Sequence, residues 1–317
     1  MSCLWMRRGL LALASASALL MAACGSGTIE SQLQPARIIA FGDGFNDVGQ
    51  RGSHFSVNDG GIDVWTQQVA IDFGLVVTAQ SAGGTGYATG NARITSKPDA
   101  AGNSATSTVT EQIDAFLASG AIGANDLLII GGGTADIIAE MAKVTSGAQT
   151  SDQMLAAVKQ AGHDLAAQTR RLVNSGAAHV VVVGTYDLGR SPWATATGQS
   201  ALLSQASGRF NDELLVSMVD LGQHVLYVDA AFLFNLMTSS PASYALVNAT
   251  DPVCTSVDPG PGIGIGAGQV NSSLCTTATL AAGVDYNQFL FADRVYPTPA
   301  AHRQFSQYAY TRIRARW

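Results

Sequence analysis

The chain predicts a three-layer α/β/α sandwich around a central parallel sheet, and three observations point to it. Short apolar runs of strand length, Ile38-Ile39-Ala40, Leu127-Leu128-Ile129-Ile130, His179–Val183 and His224–Val228, recur without polar alternation, as strands buried on both faces require. Long stretches with helical apolar spacing separate them, which parallel strands need as crossovers. A Gly42-Asp43-Gly44 turn follows the first run, at the carboxyl end of a strand where an open α/β sheet places its site. With 317 residues, 47% hydrophobic and 13% charged, the chain has the material for one large core. We read residues 37–317 as a single domain.

The elements follow in order. After the first strand, Val64, Val69, Ala70 and Phe73 are spaced for the buried face of a helix with Trp65 at its end, and Leu75-Val76-Val77-Thr78 is a second strand. Residues 83–93, Gly-Gly-Thr-Gly-Tyr-Ala-Thr-Gly-Asn-Ala-Arg, are too glycine-rich for regular structure and read as a loop over a site. They lack the Gly-Lys-Ser/Thr of a phosphate-cradling loop. Thr108 and Glu111 form a capping box for a helix that runs through Phe116 and Leu117 and stops at Gly120. Asp126–Ile130 is a buried strand ending in three glycines. Helices over about 152–174 and 199–221 lead to the next two strands, a short helix lies near Phe232–Met237, and the last helix begins near Pro299. Gly189–Trp193 reads either as a ligand-covering segment or as a surface turn with a half-buried tryptophan.

Arg7 and Arg8 precede an apolar stretch, Leu10–Ala23, ending in Met21-Ala22-Ala23-Cys24. This is the pattern of a lipoprotein signal peptide over residues 1–23, too short and wrongly flanked for a membrane span. Cys24 is then the lipidated first residue and residues 24–36 a tether; the plainer alternative is an ordinary signal cut that leaves Cys24 as a thiol. The whole chain has 17 basic and 23 acidic residues; losing residues 1–23 removes two arginines and no acid, taking the formal charge from -6 to -8. With no basic run, neither nucleic acid nor an anionic membrane surface is expected as an electrostatic partner, leaving a small or neutral ligand. After export Cys254 and Cys275 remain, and in an oxidising compartment they are expected to form a disulfide across a Gly- and Pro-rich loop, contributing roughly 3 kcal/mol. No His-x-x-x-His or Cys-x-x-Cys spacing suggests a metal, and no cofactor is implied.

Four segments resemble, in order, the blocks of the GDSL or SGNH hydrolases, a family with a flavodoxin-like α/β/α fold that acts on esters. Block I reads Phe41-Gly42-Asp43-Gly44-Phe45-Asn46-Asp47-Val48-Gly49, with Gly44 at the position of the nucleophilic serine. Block II matches Tyr87-Ala88-Thr89-Gly90-Asn91-Ala92-Arg93, and the resemblance gives the Gly90 N–H to the oxyanion hole. Block III, which normally carries Gly-x-Asn-Asp after a strand, reads Gly133-Thr134-Ala135-Asp136, so Ala135 lacks the amide donor; Gly123-Ala124-Asn125-Asp126 mimics the motif but precedes its strand. Block V, normally Asp-x-x-His-Pro-Thr, reads Asp293-Arg294-Val295-Tyr296-Pro297-Thr298, with Tyr296 in place of the base. A phenol whose ordinary pKa is near 10 is a poor proton acceptor.

The resemblance therefore implies the fold, retains Asp43, Asp47, Gly90 and Asp293, and removes nucleophile, base and one oxyanion donor. Three functions stay open. One is a catalytically degenerate family member on a lipid anchor, keeping a pocket between Asp43, Gly44, Gly90, Ala135 and Tyr296 for a small ester, acyl or lipid ligand. Another is an active esterase using Ser53 or Ser81 with His54 or His302. The last is a structural envelope protein whose pocket has filled in. His302 reads first as a helix-surface or packing histidine of the last helix, and His163, His179 and His224 have no context that recommends them. Gly25 after the cysteine implies sorting to the bacterial outer membrane.

Overall fold

The computed structural model describes residues 31, 33–62 and 64–317; the expected signal peptide, Cys24 and most of the expected tether lie outside the described residues. Strands β1 (Arg37–Phe41), β2 (Asp126–Gly131), β3 (His179–Val183) and β4 (Val225–Tyr227) form one parallel sheet in that order. Ile39 lies beside Leu128, Leu128 beside Val180, and Val181 beside Leu226. Every residue of β2 is buried, so both faces of the central strands are covered. One group of helices, α1 (Trp65–Asp72), α7 (Ala230–Ser239) and α8 (Pro299–Arg316), packs together, and α2 (Val109–Ser119), α3 (Thr134–Thr145), α4 (Ser151–Asn174) and α6 (Ser200–Ser217) form another. Between β3 and α6 lies the short α5 (Pro192–Thr197). This is the α/β/α sandwich that the strand and helix pattern predicts. The capping box is present as read: the Glu111 N–H donates to Thr108 Oγ1 at 3.2 Å, and the Thr108 N–H to Glu111 Oε2 at 2.8 Å.

Two readings need correction. Leu75–Thr78 does not form a strand; Val76 is 78% exposed, so nothing packs over one side of it. The free edge of β1 is taken instead by part of the glycine-rich stretch, since the Ala40 N–H donates to Thr85 O at 3.1 Å and the Tyr87 N–H to Ala40 O at 2.7 Å. Gly86 then bridges both Ala40 and Ala79. β1 is therefore flanked by this segment on one side and by β2 on the other, and the winding reverses at β1. That switch point is where α/β sheets open a crevice, and block I occupies it. Helix α3 is the second correction: the sequence reading passes from the three glycines to the next helix, although Ile137, Ile138 and Met141 are spaced for one buried face, and all three are buried.

Beyond β4 the chain forms smaller pairings. β5 (Asn248–Pro252) pairs in parallel with β8 (Phe289–Phe291), and β6 (Val257–Asp258) with β7 (Gln269–Val270) in antiparallel fashion. The Cys254–Cys275 disulfide closes this region with 5.9 Å between Cα atoms, within a small apolar cluster of Val57, Val253 and Ala292.

Candidate active site

Block I leaves β1 as a turn held from several sides. The Gln112 side chain accepts from the Gly42 N–H at 2.8 Å and donates to Gly42 O at 2.9 Å. Asn46 donates to Phe41 O at 2.9 Å and accepts from the Trp65 indole at 2.9 Å. Asp43 is buried; one carboxylate oxygen accepts from the Phe45 N–H at 3.1 Å, the other from the Ala135 N–H in the first turn of α3 at 3.4 Å. A carboxylate there complements the positive end of the helix dipole. Burial nevertheless dominates and pushes its pKa up to about 6.

Gly44 sits next in the chain, where the resemblance puts the nucleophile. A Cβ on Gly44 would lie 2.8 Å from Cζ and 2.9 Å from both Cε1 and the hydroxyl oxygen of Tyr296. The Tyr296 ring thus fills the volume that a side chain at Gly44 would take. Its ring is buried against Phe55, centroids 5.0 Å apart, and its hydroxyl has no hydrogen-bond partner among the described residues. Burial raises its pKa well above the ordinary phenol value, with Asp43 adding to the effect, so the phenol stays protonated.

The other family positions are engaged as well. The Gly90 N–H donates to Asp47 Oδ2 at 2.7 Å, while Asp47 Oδ1 accepts from Gly49 and Gln50 at 2.9 and 2.8 Å. A Cβ at Gly90 would meet the Phe55 ring at 1.8 Å, so glycine here admits an aromatic ring rather than a substrate oxygen. Asn91 follows with a φ of 64°, a left-handed conformation that Asn tolerates. Asp293 accepts from the Val295 and Tyr296 N–H groups, both at 2.7 Å, and from the Ser272 N–H at 3.0 Å; these bonds shape the block V turn. Asp136 accepts from the Ile94 N–H at 3.1 Å and faces Arg93 at 3.3 Å. Burial takes its pKa up to about 6, with Arg93 opposing.

The pocket expected between Asp43, Gly44, Gly90, Ala135 and Tyr296 is therefore filled, by Phe55 with Tyr296. Phe45 turns into the core against Phe305 and His302. What stays open beside Asp43, bordered by Thr134, Gly184 and Tyr186, measures about 10 Å³, room for about one water molecule. Sequence reasoning missed Phe55, which has no motif around it, and the engagement of Gly90 by Asp47, although both residues stand in the blocks.

Of the alternative nucleophiles and bases, His54 comes up against block I, with Nε2 3.3 Å from where a Gly49 Cβ would lie and a charge that acts on Asp47, while Ser81 and His302 are engaged elsewhere. Ser81 is exposed and its hydroxyl donates to Gln50 O at 2.8 Å. His302 is buried in α8, stacks on Phe45 at 5.1 Å, and accepts the Trp65 N–H at Nδ1 over 3.3 Å. Burial lowers its pKa to about 3. It is a packing histidine. The His54 N–H is held by Asn58 Oδ1 at 2.7 Å, and Ser53 is half-buried in the same turn. His163 lies on the exposed side of α4, and His179 packs edge-on to Trp317 at the opposite end of the sheet. Gly189–Trp193 covers no cleft at block I: Trp193 is buried and its N–H donates to Arg294 O at 3.0 Å. No group of three or more His, Cys, Asp or Glu suited to a metal occurs among the described residues.

The family model for GDSL-like lipase/acylhydrolase matches residues 38–309. A protein of Pseudomonas putida described as an uncharacterized protein in the trpE-trpG intergenic region is 30% identical over 157 residues. That match takes in 50% of this chain and 25% of the other, so the chain spans about a quarter of the length of that curated relative. Two crystal structures align over 89% of this chain and 98% of their own, with 15% and 11% identity and TM-scores of 0.47 and 0.42. Since the family match runs from β1 into α8 and takes in all four blocks, the chain belongs to the GDSL-like lipase/acylhydrolase family.

Proposed function

We propose that this protein is an exported, lipid-anchored envelope protein that keeps the family's fold and has lost its hydrolysis. The observation that carries the reading is the Tyr296 ring lying in the volume a side chain at Gly44 would need. A serine hydrolase needs a nucleophile and a base within hydrogen-bond reach and an open position for the reacting carbonyl. Here the nucleophile position has no side chain, the base position holds a protonated phenol, and Asp47 occupies the Gly90 N–H. Loss of nucleophile and base acts as a unit and costs several orders of magnitude. A small ester, acyl or lipid ligand, the kind the family acts on, finds no room at this centre, which favours a structural role over a ligand-binding one.

The test is fluorophosphonate labelling and short-chain nitrophenyl ester turnover by the purified processed protein. Neither is expected. Turnover that disappears on Ser53→Ala or Ser81→Ala would replace this reading with the active esterase. Anchoring through Cys24, with sorting to the outer membrane suggested by Gly25, is tested by metabolic palmitate labelling: label retained by Cys24→Ser would defeat it.

A further inference from the structure

We infer that the pole of the domain at the amino ends of the strands is a docking face for an anionic phospholipid bilayer. The inference rests on the reading that the chain is exported and held through Cys24.

The chain enters the fold at this pole. Ser31 Oγ and the Leu33 N–H both donate to Trp317 O, at 3.0 and 3.3 Å, and Trp317 packs edge-on to His179 at the start of β3 with ring centroids 5.1 Å apart. Arg37 begins β1 and pairs with Asp126 at the start of β2. His224, just before β4, accepts from the Val180 N–H at 2.8 Å. Cys24 and Ser31 are seven residues apart, and a chain of that length reaches at most about 25 Å. An anchored Cys24 therefore keeps this pole near the bilayer surface and turns block I, at the carboxyl ends of the strands, away from it.

The arginines at this pole are only partly paired. Arg37 is neutralised by Asp126, and Arg170 by Asp220. Arg312, Arg314 and Arg316, at the end of α8, face no carboxylate among the described residues: Arg312 lies over the Tyr308 ring, Arg314 over the Tyr310 ring, and Arg316 reaches Gly222 O. Arg314 and Arg316 lie in the last turn, where arginine suits the helix dipole; Arg312 and Arg314 flank α8 on different sides, over Tyr308 beside Phe232 and over Tyr310 beside Phe73, and a half-buried tryptophan ends the helix where the chain leaves toward Cys24. A processed chain with formal charge -8 is repelled by an anionic surface over most of its own surface. Three arginines without a carboxylate partner give it one orientation in which approach is favourable. Trp317 beside the arginines has the amphipathic character of residues at the headgroup level.

The experiment uses the processed chain, residues 24–317, carrying Cys24→Ser so that no acyl chain contributes. Its sedimentation with vesicles of phosphatidylglycerol and phosphatidylcholine in equal parts is compared with pure phosphatidylcholine. Binding to the anionic vesicles is expected at low salt and release at high salt. The triple variant Arg312→Gln, Arg314→Gln, Arg316→Gln should bind about a hundredfold more weakly, at about fivefold per arginine. Arg190→Gln, past the carboxyl end of β3, should bind as the parent does. Brominated lipid should quench Trp317, since Trp65 and Trp193 are buried. Should the triple variant lack the parent's thermal transition, Arg312→Gln with Arg314→Gln leaves the Arg316 contact in place and is read instead. Equal binding to both vesicle types, parent-like binding by the arginine variant, or unquenched Trp317 overturns the inference. Loss of palmitate labelling as a Cys24 property would sink the anchor alone, because this assay needs no acylation.

Discussion

Replacing Gly44 by alanine separates a packed centre from an open one by the sign of its effect. Gly44 does not adopt a left-handed φ, so its backbone accepts any L residue. In an uncrowded place the change would stabilise the fold by about 0.4–1 kcal/mol through the unfolded chain. Here the new Cβ lies 2.8–2.9 Å from three atoms of the Tyr296 side chain. That ring is wedged by Phe55 and follows a turn fixed by Asp293, so it cannot swing aside freely. Overpacking of this kind costs about 1–3 kcal/mol, and we expect a net loss of about 1–2 kcal/mol. Tyr296→Leu removes Cζ and the hydroxyl, the atoms nearest the new carbon. In that background Gly44→Ala should cost little, giving a coupling energy of about 1–2 kcal/mol within the range seen for residues in contact. Urea unfolding of the parent, both single variants and the double variant, followed by circular dichroism and compared at constant m, measures the cycle. If Gly44→Ala raised the midpoint, or if the two changes simply added, the packing argument would fail.

Other consequences follow from the same residues. Tyr296→Phe removes a buried hydroxyl that has no partner among the described residues, and an unsatisfied buried group costs about 1–3 kcal/mol; the variant should match or exceed the parent in thermal midpoint, and a fall would show that the hydroxyl is paired. Asp43 and Asp136 have folded pKa values raised to about 6, so between the unfolded carboxyl value near 4 and about 6 the native state binds more protons than the unfolded chain. Their contribution therefore improves as pH falls from about 7 to about 4, by at most about 1.4 kcal/mol per pH unit for each. Asp43→Asn should flatten that part of a stability-versus-pH curve, and an unchanged slope would count against the burial of an ionisable carboxyl. The triple variant Gly44→Ser, Tyr296→His, Ala135→Asn should fold yet leave nitrophenyl ester turnover at background, because Asp47 and Phe55 still hold Gly90; turnover well above the parent would mean the centre opens more readily than its packing implies.

Much of the fold was legible because its signals are local. The apolar runs at 38–40, 127–130 and 179–183 carry their own burial, and the Thr108–Glu111 box marks its helix start without tertiary help. Leu75–Thr78 misleads because β propensity says nothing of whether a neighbour will cover the other face, and Val76 stays bare. Helix α3 was hidden behind the glycines that precede it, since the positive φ of Gly133 looks like loop chemistry until Phe210 is found packed in the space of its missing side chain. The site was legible as a set of positions but not as a volume. Nothing near Phe55 in the sequence says that its ring meets Tyr296, because the two are separated by most of the chain and are joined only by folding.

The pattern of kept and altered positions has a physical reason in the hydrogen bonds. Asp43 takes the Phe45 and Ala135 N–H groups, Asp47 those of Gly49, Gln50 and Gly90, and Asp293 those of Ser272, Val295 and Tyr296. Removing any of these carboxylates would leave backbone donors without partners, most of them buried, at about 1–3 kcal/mol each, a serious loss for a domain of ordinary marginal stability. The positions now held by Gly44, Ala135 and Tyr296 carry no side-chain hydrogen bond of that kind. They are free to change so long as volume is conserved, and the exchange at Gly44 and Tyr296 conserves it: what one position lacks, the ring at the other fills. Asp43, Asp47 and Asp293 thus have a folding role in this chain that stands apart from chemistry, one it would need whether or not it cleaves esters.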